Sequence, residues 1–160
     1  MSIDLVRVDE RLIHGQVVVG WGSHLGLDHY VVVDDALADS EWEQELYRSA
    51  LPDGVTARFM SAPQAIEHLA ELGEAEGRGA LLTRGTGTMR ALAEGGVLRD
   101  RHVNLGGLHG GPGRDRVLDY VYLGSAERDD LRVIAEAAGK VSARDLPTAR
   151  EVPLDQLLAR

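Results

Sequence analysis

The segment IDLVRVDERLIHGQVVVGW, residues 3–21, joins an apolar run to a second apolar run through a short polar stretch. The run IDLVRV (3–8) predicts a β-strand, and the four-residue spacing of Val17, Trp21 and Leu25 predicts a helix over 15–26. A strand, a short loop and a helix in this order form the first half of a βαβ unit. The segment therefore predicts a parallel sheet.

The rest of the chain repeats this alternation. Further strands are predicted at 29–35, 55–60, 79–83, 102–107, 117–124 and 141–147. Further helices are predicted at 40–51, 61–72, 88–96, 125–139 and 154–160, and Ser40 with Glu43 and Ser61 with Gln64 have the spacing of capping boxes. We expect an α/β fold with a single open, mostly parallel sheet of about six to seven strands and helices on both faces. Residues 1–160 are expected to form one domain.

Composition excludes several classes of function. The chain has no cysteine, which removes disulfides, thiolate catalysis and cysteine-bound zinc. Its net charge is −9 and its aromatic content is 4%, so we expect no nucleic-acid partner. The early charges in MSIDLVRVDE do not suit a signal peptide, and no apolar run reaches the length of a membrane span. We expect a soluble, cytoplasmic protein.

His14 is the candidate catalytic residue. It lies in the loop after the first strand, at the edge of the sheet where ligands bind in open α/β folds, and directly before a helix N-terminus that favours anions. The same positive end disfavours an imidazolium, so we expect a largely neutral, nucleophilic ring that can accept a phosphoryl group. Arg11 supplies a planar cation for phosphate oxygens, and Gly15 leaves the ring open to a partner.

Several other residues are candidates for the lining of this site. Asp9 or Glu10 is expected to orient Arg11 or the imidazole, and Gln16 is assigned either to the first helical turn or to the ligand. Asp34 and Asp35 end the second predicted strand and favour a turn, and we also place Asp35 at the border of the same cleft.

The stretch GGLHGGPGRDR, residues 106–116, is rich in glycine but lacks the spacing of a P-loop or a Rossmann fingerprint. Because the only lysine is Lys140, a nucleotide site of the P-loop type is not expected. We interpret the stretch as a mobile loop beside the site, with a simple flexible connection as the alternative. Gly107, His109 and Arg114 are its candidates for phosphate contact.

The remaining histidines, at positions 24, 29, 68 and 102, are scattered over separate predicted elements. Their positions do not suit a metal site. We predict neither a metal nor another cofactor.

The stretches RVDERLIHGQ, VVVDDALAD, VNLGG and ARDLP occur in this order along the chain. Together they resemble the IIB subunit of the mannose/sorbose-type sugar phosphotransferase system, over essentially the whole chain. The resemblance implies a cytoplasmic phosphocarrier in which His14 is the phosphorylated histidine and Arg11 the arginine beside it. It also implies a phosphohistidine on a IIA domain as donor, and transfer to a sugar carried by membrane IIC and IID subunits. The stretch after VNLGG has more glycines than is usual in that family.

Two alternatives stay open. The first is a regulatory protein of the same fold, phosphorylated on His14 without a role in sugar transport, and the second is a nucleotide-binding enzyme. Whether the chain forms a homo-oligomer, which sugar it serves, which ring nitrogen reacts and whether it sits at the inner face of the membrane through IIC and IID are also left open by the sequence.

Overall fold

The computed structural model describes residues 2–72 and 76–160. Its strands are β1 Ser2–Val8, β2 His29–Val33, β3 Thr56–Met60, β4 Arg78–Thr83, β5 His102–Leu105, β6 Asp115–Leu118, β7 Val121–Leu123, β8 Lys140–Ala143 and β9 Val152–Pro153. Its helices are a π-helix Gln16–Gly22, α1 Ser23–Leu25, α2 Asp35–Ala38, α3 Glu41–Ser49, α4 Ala62–Leu72, α5 Thr86–Glu94, α6 Ser125–Ala137 and α7 Leu154–Leu158.

Seven of these strands form one open sheet in the order β3-β2-β4-β1-β5-β8-β9. All neighbouring pairs are parallel except β8 with β9. The prediction of an open, mostly parallel α/β sheet is confirmed. The two-residue strand β9 was not expected, because two residues carry no periodicity that a sequence pattern can show.

Successive residues of the central strands belong alternately to two cores, so a core lies on each face of the sheet. Val31, Val33 and Leu81 belong to the core that also contains residues of α4, α5 and α6, whereas Val32 and Leu82 belong to the core under the π-helix and α2. Strands covered on both faces read as nearly continuous apolar runs, as VVV and ALL do here. The helices therefore lie on both faces, as predicted.

The prediction of a sixth strand over 117–124 in the main sheet is wrong. The segment is an antiparallel hairpin of β6 and β7 that forms its own two-stranded sheet. Asp119 and Tyr120 form the turn, and aspartate at such a position favours a turn over a continuous strand. Leu108 joins this hairpin through an isolated bridge to Val121.

The helix predicted over 15–26 exists, but most of it is the π-helix Gln16–Gly22. It continues directly into α1, which is capped by Gly26 with φ of 68°. Val17 and Trp21 face the core as predicted, and Leu25 is half-buried. Asp34 caps the extra short helix α2 by accepting the Leu37 N–H. The capping box predicted at Ser40 is wrong, since the Ser40 side chain makes no cap bond to α3.

The carboxyl end of β1 lies between those of β4 and β5. The Asp9 N–H continues the ladder to the Thr83 carbonyl, and the Gly106 N–H donates to the Val8 carbonyl. The loop after β1 and the loop after β5 therefore leave the sheet side by side.

Candidate functional site

His14 and Asp9 form the centre of the site in the loop after β1. The Nε2 atom of His14 lies 3.0 Å from Asp9 Oδ2. The Asp9 carboxylate is fully buried, whereas 14% of the His14 side chain is exposed. A buried carboxylate thus orients a ring whose other edge faces outward.

The turn between these two residues is tight. The Leu12 N–H donates to the Asp9 carbonyl over 3.0 Å, and Leu12 has φ of 55° although it is not a glycine. The Leu12 side chain is fully buried, so packing holds this left-handed backbone in place. The His14 carbonyl then accepts the Val17 and Val18 N–H groups and starts the π-helix.

Arg7, two residues before Asp9, is the buried cation of the site. Its side chain is fully buried, and its Nη2 lies 3.1 Å from Asp9 Oδ2. The guanidinium also donates to the Asn104 side chain and to the carbonyls of Arg144 and Asp145. It lies 5.4 Å from the centre of the Trp21 ring, within the range of a cation–π contact.

These contacts set the charge of the Asp9–His14 couple. Burial by itself would raise the pKa of Asp9, but the hydrogen bond from His14 and the charge of Arg7 outweigh it and hold that pKa below its ordinary value. Burial lowers the pKa of Arg7, and the charge of Asp9 opposes this shift. Asp9 is therefore ionised between two potential donors.

Arg11, Gln16 and Gly15 line the open side of the couple. Arg11 is 49% exposed, and its backbone N–H donates to Asp9 Oδ1. The Gln16 Oε1 accepts from both Arg11 Nη2 and Arg7 Nη2, at 3.3 Å and 3.4 Å. A Cβ at Gly15 would meet no atom within 4 Å, so the space beside His14 is open.

Residues 106–114, named the glycine-rich loop below, pack against the same turn. A Cβ at Gly106 would overlap the Arg7 guanidinium, and one at Gly107 would lie 3.3 Å from Asp9 Oδ1. Gly106 therefore allows a backbone approach that a side chain would block, and Gly107 allows a close approach to Asp9. His109 and Arg114 do not contact His14 but bind Glu10, over 2.6 Å and 2.9 Å.

Asp35 is not brought into this group. Its carboxylate accepts the Ala62 N–H at the start of α4, and its neighbour Asp34 caps α2. Of the two carboxylates considered for orienting the imidazole, Asp9 contacts the ring, while Glu10 contacts the glycine-rich loop.

Arg7 and Asn104 are site residues that the sequence reasoning missed. The signal for Arg7 was a charged residue inside the apolar run LVRV, two residues before an aspartate. Such a residue is fully buried only when it is paired, so this pattern predicts an internal ion pair between Arg7 and the aspartate. Asn104 gave a weaker signal, as a single amide in the strand HVNL.

Among the described residues, no group of three or more histidine or acidic side chains is arranged to hold a metal ion. Nor does any helix of those residues combine the length and the apolarity needed to cross a membrane.

Comparison with known proteins places this geometry in a family. Residues 3–160 match the family model for the PTS system sorbose subfamily IIB component. The chain is 34% identical over 148 residues to the N-acetylgalactosamine-specific phosphotransferase enzyme IIB component 1 of Escherichia coli K12, which covers 91% of this chain and 92% of the relative. It is 32% identical over 159 residues to the mannose-specific EIIAB component of the same organism, covering 99% of this chain and 47% of that protein.

A solved structure gives the same result. The crystal structure of manxB from Thermoanaerobacter tengcongensis superposes with a TM-score of 0.89 at 26% identity, over 99% of this chain and 96% of the other. The family match spans nearly the whole chain and includes the loop that carries His14. The chain therefore belongs to the sorbose-subfamily IIB components of the sugar phosphotransferase system.

Proposed function

We propose that this protein accepts a phosphoryl group on His14 from the phosphohistidine of a IIA partner and passes it to a sugar that enters through membrane IIC and IID subunits. Membership of the IIB family supports a role in phosphotransfer for sugar transport. The observation that carries the assignment to His14 is its 3.0 Å contact with the buried Asp9 carboxylate, beside two arginines.

The reacting atom is assigned to Nδ1. An ionised Asp9 accepts the proton on Nε2, which leaves the lone pair of a neutral ring on Nδ1. That lone pair attacks phosphorus as the donor's P–N bond breaks, and the donor imidazole takes the bonding electrons. Positive charge then builds on the His14 ring, where the Asp9 carboxylate stabilises it.

The arginines have different roles in this proposal. Arg11 is half-exposed, so it can reach the phosphoryl oxygens and offset their charge. Arg7 is fully buried and acts through Asp9 by keeping that carboxylate ionised and fixed. Gln16 holds Arg11 over the site, and the open space beside Gly15 admits the partner.

The partners imply a location. A protein that receives phosphate from a IIA partner and delivers it at IIC and IID works in the cytoplasm, at the inner face of the membrane. We propose no metal and no nucleotide for the exchange, since the donor already carries an activated phosphoryl group and the site supplies its own cations.

The experiment is a phosphotransfer assay with phosphoenolpyruvate, the general phosphotransferase proteins and a matching IIA protein, read by intact mass. Wild type and His68→Ala, which changes an exposed histidine of α4, are expected to gain one acid-labile phosphoryl group, and His14→Ala none. Absence of label on wild type, with a donor shown to label another acceptor, would overturn the proposal.

A further inference from the structure

Glu10 connects the loop after β1, which carries His14, to the glycine-rich loop. One carboxylate oxygen, Oε2, accepts the His109 backbone N–H over 3.0 Å and lies 2.6 Å from the His109 Nδ1. The other, Oε1, accepts from Arg114 Nη1 over 2.9 Å. The Glu10 backbone N–H donates to the Gly107 carbonyl over 2.8 Å.

The glycine-rich loop has a buried base and an exposed tip. Residues 106–108 are buried against Arg7 and Asp9, whereas residues 109–113 are exposed. The Arg114 carbon chain ends in a second ion pair, with Glu127 Oε1 at 2.6 Å, which fixes the far end of the loop to α6. Between these two fixed ends, the tip is held by Glu10 and by the bond from Arg114 Nη1 to the His109 carbonyl, at 2.9 Å.

The composition of the tip makes these contacts necessary. Gly110, Gly111 and Gly113 lie in a run of five exposed residues, and glycine loses more conformational freedom on ordering than any other residue. The Glu10 carboxylate accepts from the Arg114 guanidinium and the His109 backbone N–H and contacts the His109 ring, and these bonds oppose that loss. Without Glu10 the tip keeps its bonds at either end and the bonds from Arg114 to the His109 and Gly111 carbonyls, but its side-chain ties to the loop that carries His14 are lost.

Glu10 is also placed where its effect matters to the site. It follows Asp9 directly, so the residue that orients His14 and the residue that holds the tip are adjacent on one turn. His109, which the neighbouring Glu10 holds, is 62% exposed and so is accessible to a partner.

We propose that Glu10 is a positioning residue that pre-forms the tip of the glycine-rich loop as a contact surface for the phosphodonor protein. This inference rests on the proposed function, because it requires a protein donor at His14. A tip that is already ordered does not have to be ordered when the donor binds, so the complex forms more readily. Removal of the Glu10 contacts is expected to weaken the encounter and leave the reacting groups in place.

The test uses Glu10→Gln in the full chain. The amide keeps the size of the side chain, but its NH₂ group cannot accept from Arg114 or His109. The matched control is Asp119→Asn, which removes the carboxylate that pairs with Arg116 on the neighbouring hairpin, away from the tip. We measure steady-state phosphotransfer from the IIA protein and backbone amide hydrogen exchange over residues 107–114.

The expected result for Glu10→Gln is a KM for the IIA protein raised about fivefold or more, with kcat within about twofold of wild type. Amide exchange should become faster in the tip and stay unchanged in β1 and β5. The Asp119→Asn variant should match wild type in both measurements. A normal KM, or a fall in kcat at normal KM, would overturn the inference, since the first shows that the tip does not meet the donor and the second that Glu10 acts in the chemical step.

Failure of the proposed function has a different signature. In that case the IIA donor labels neither wild type nor variant. Phosphoramidate, a small phosphodonor, is used in parallel to test whether His14 can react at all. Amide exchange still measures the Glu10 contacts under those conditions, and unchanged exchange in Glu10→Gln would overturn the structural half of the inference.

Discussion

Arg7 and Asp9 place a guanidinium and a carboxylate together in the interior, beneath the partly buried His14. Both side chains are fully buried and their atoms are 3.1 Å apart. A buried pair of this kind contributes little net stability compared with apolar residues, but loss of one partner leaves an uncompensated charge. The pair is best explained by the site, because it keeps Asp9 ionised and aimed at His14.

We therefore expect Arg7→Met to destabilise the protein by about 3 kcal/mol or more, since it leaves the Asp9 carboxylate buried without its cation. The measurement is the free energy of unfolding in urea. Arg116→Met is the control, because Arg116 is an exposed arginine whose pair with Asp119 lies at the surface, and it should change stability by less than about 0.5 kcal/mol. Equal effects of the two substitutions would contradict this account of Arg7.

At the scale of elements, helix α4 begins with a complete capping box and α3 does not. Ser61 Oγ accepts the Gln64 N–H, and Gln64 Oε1 accepts the Ser61 N–H over 2.9 Å. Ser40 precedes Glu43 at the same spacing, yet its side chain makes no cap bond to α3. The short helix α2 and its cap at Asp34 occupy the chain just before Ser40, and Gln44 bonds back to the Leu37 and Ala38 carbonyls.

This difference predicts unequal costs for one kind of substitution. Ser61→Ala should lower the free energy of unfolding by about 1 kcal/mol, because two N–H groups lose their partners or their geometry. Ser40→Ala should change it by no more than a few tenths of a kcal/mol. Thermal or urea unfolding of the two variants decides the matter, and a larger loss for Ser40→Ala would show that the assignment of caps is reversed.

Glu151, just before β9, pairs with two cations at the start and the end of β8. Its carboxylate lies 2.5 Å from Lys140 Nζ and 3.1 Å from Arg144 Nη2. Hydrogen bonds from Lys140 and Ser142 lower the pKa of Glu151 from about 4.5 to about 2. Because the folded state binds this proton less readily than the unfolded state, the group stabilises the fold above pH 4.5 and loses that contribution as the pH falls towards 2.

The variant Glu151→Gln should therefore be less stable than wild type at neutral pH, by about 1 kcal/mol for a partly exposed group. The difference should shrink as the pH is lowered to about 2. Unfolding in urea over a series of pH values measures it, with Glu136→Gln on the exposed side of α6 as control. A difference that is independent of pH would mean that Glu151 acts through packing and not through its charge.

At the scale of the whole molecule, one sheet carries a core on each face. Leu81 lies in the core with α4, α5 and α6, and Leu82 lies in the core with the π-helix. Since neighbouring residues of one strand serve both cores, neither core can unfold while the other keeps its strand. The molecule should unfold as one cooperative unit.

Leu81→Ala and Leu82→Ala should each cost about 3 kcal/mol, because both side chains are buried and neither cavity can fill without moving the sheet. Leu46→Ala, at an exposed position of α3, should cost well under 1 kcal/mol. Far-ultraviolet circular dichroism and tryptophan fluorescence should show one coincident transition in every variant. If Leu82→Ala separated the tryptophan fluorescence transition from the loss of secondary structure, the two cores would be independent.

Local patterns account for most of the fold. The alternation of apolar runs with helical spacing predicted the parallel sheet and its covering on both faces, because residues on a strand alternate between the two cores. The prediction of a single strand for VLDYVYLG was wrong, because the apolar character of this run does not reveal the turn at Asp119 and Tyr120. A hairpin and a single strand differ there by a two-residue turn, which apolar periodicity does not resolve.

For this chain, the sequence by itself determined the alternation of most strands and helices, the position of His14 after the first strand and the family motif around it, because each depends on neighbours within about ten residues along the chain. Only the tertiary structure decided which carboxylate binds the imidazole, that Arg7 lies beneath it, and that Glu10 holds a loop almost one hundred residues away. Glu10 joins the end of β1 to the loop after β5, and Arg7 is held by Asn104 of β5 and by two backbone carbonyls after β8. These long-range contacts arise from strand order in the sheet. A distance along the chain carries no information on that order, so the chemistry of the site became visible only once the strands were placed side by side.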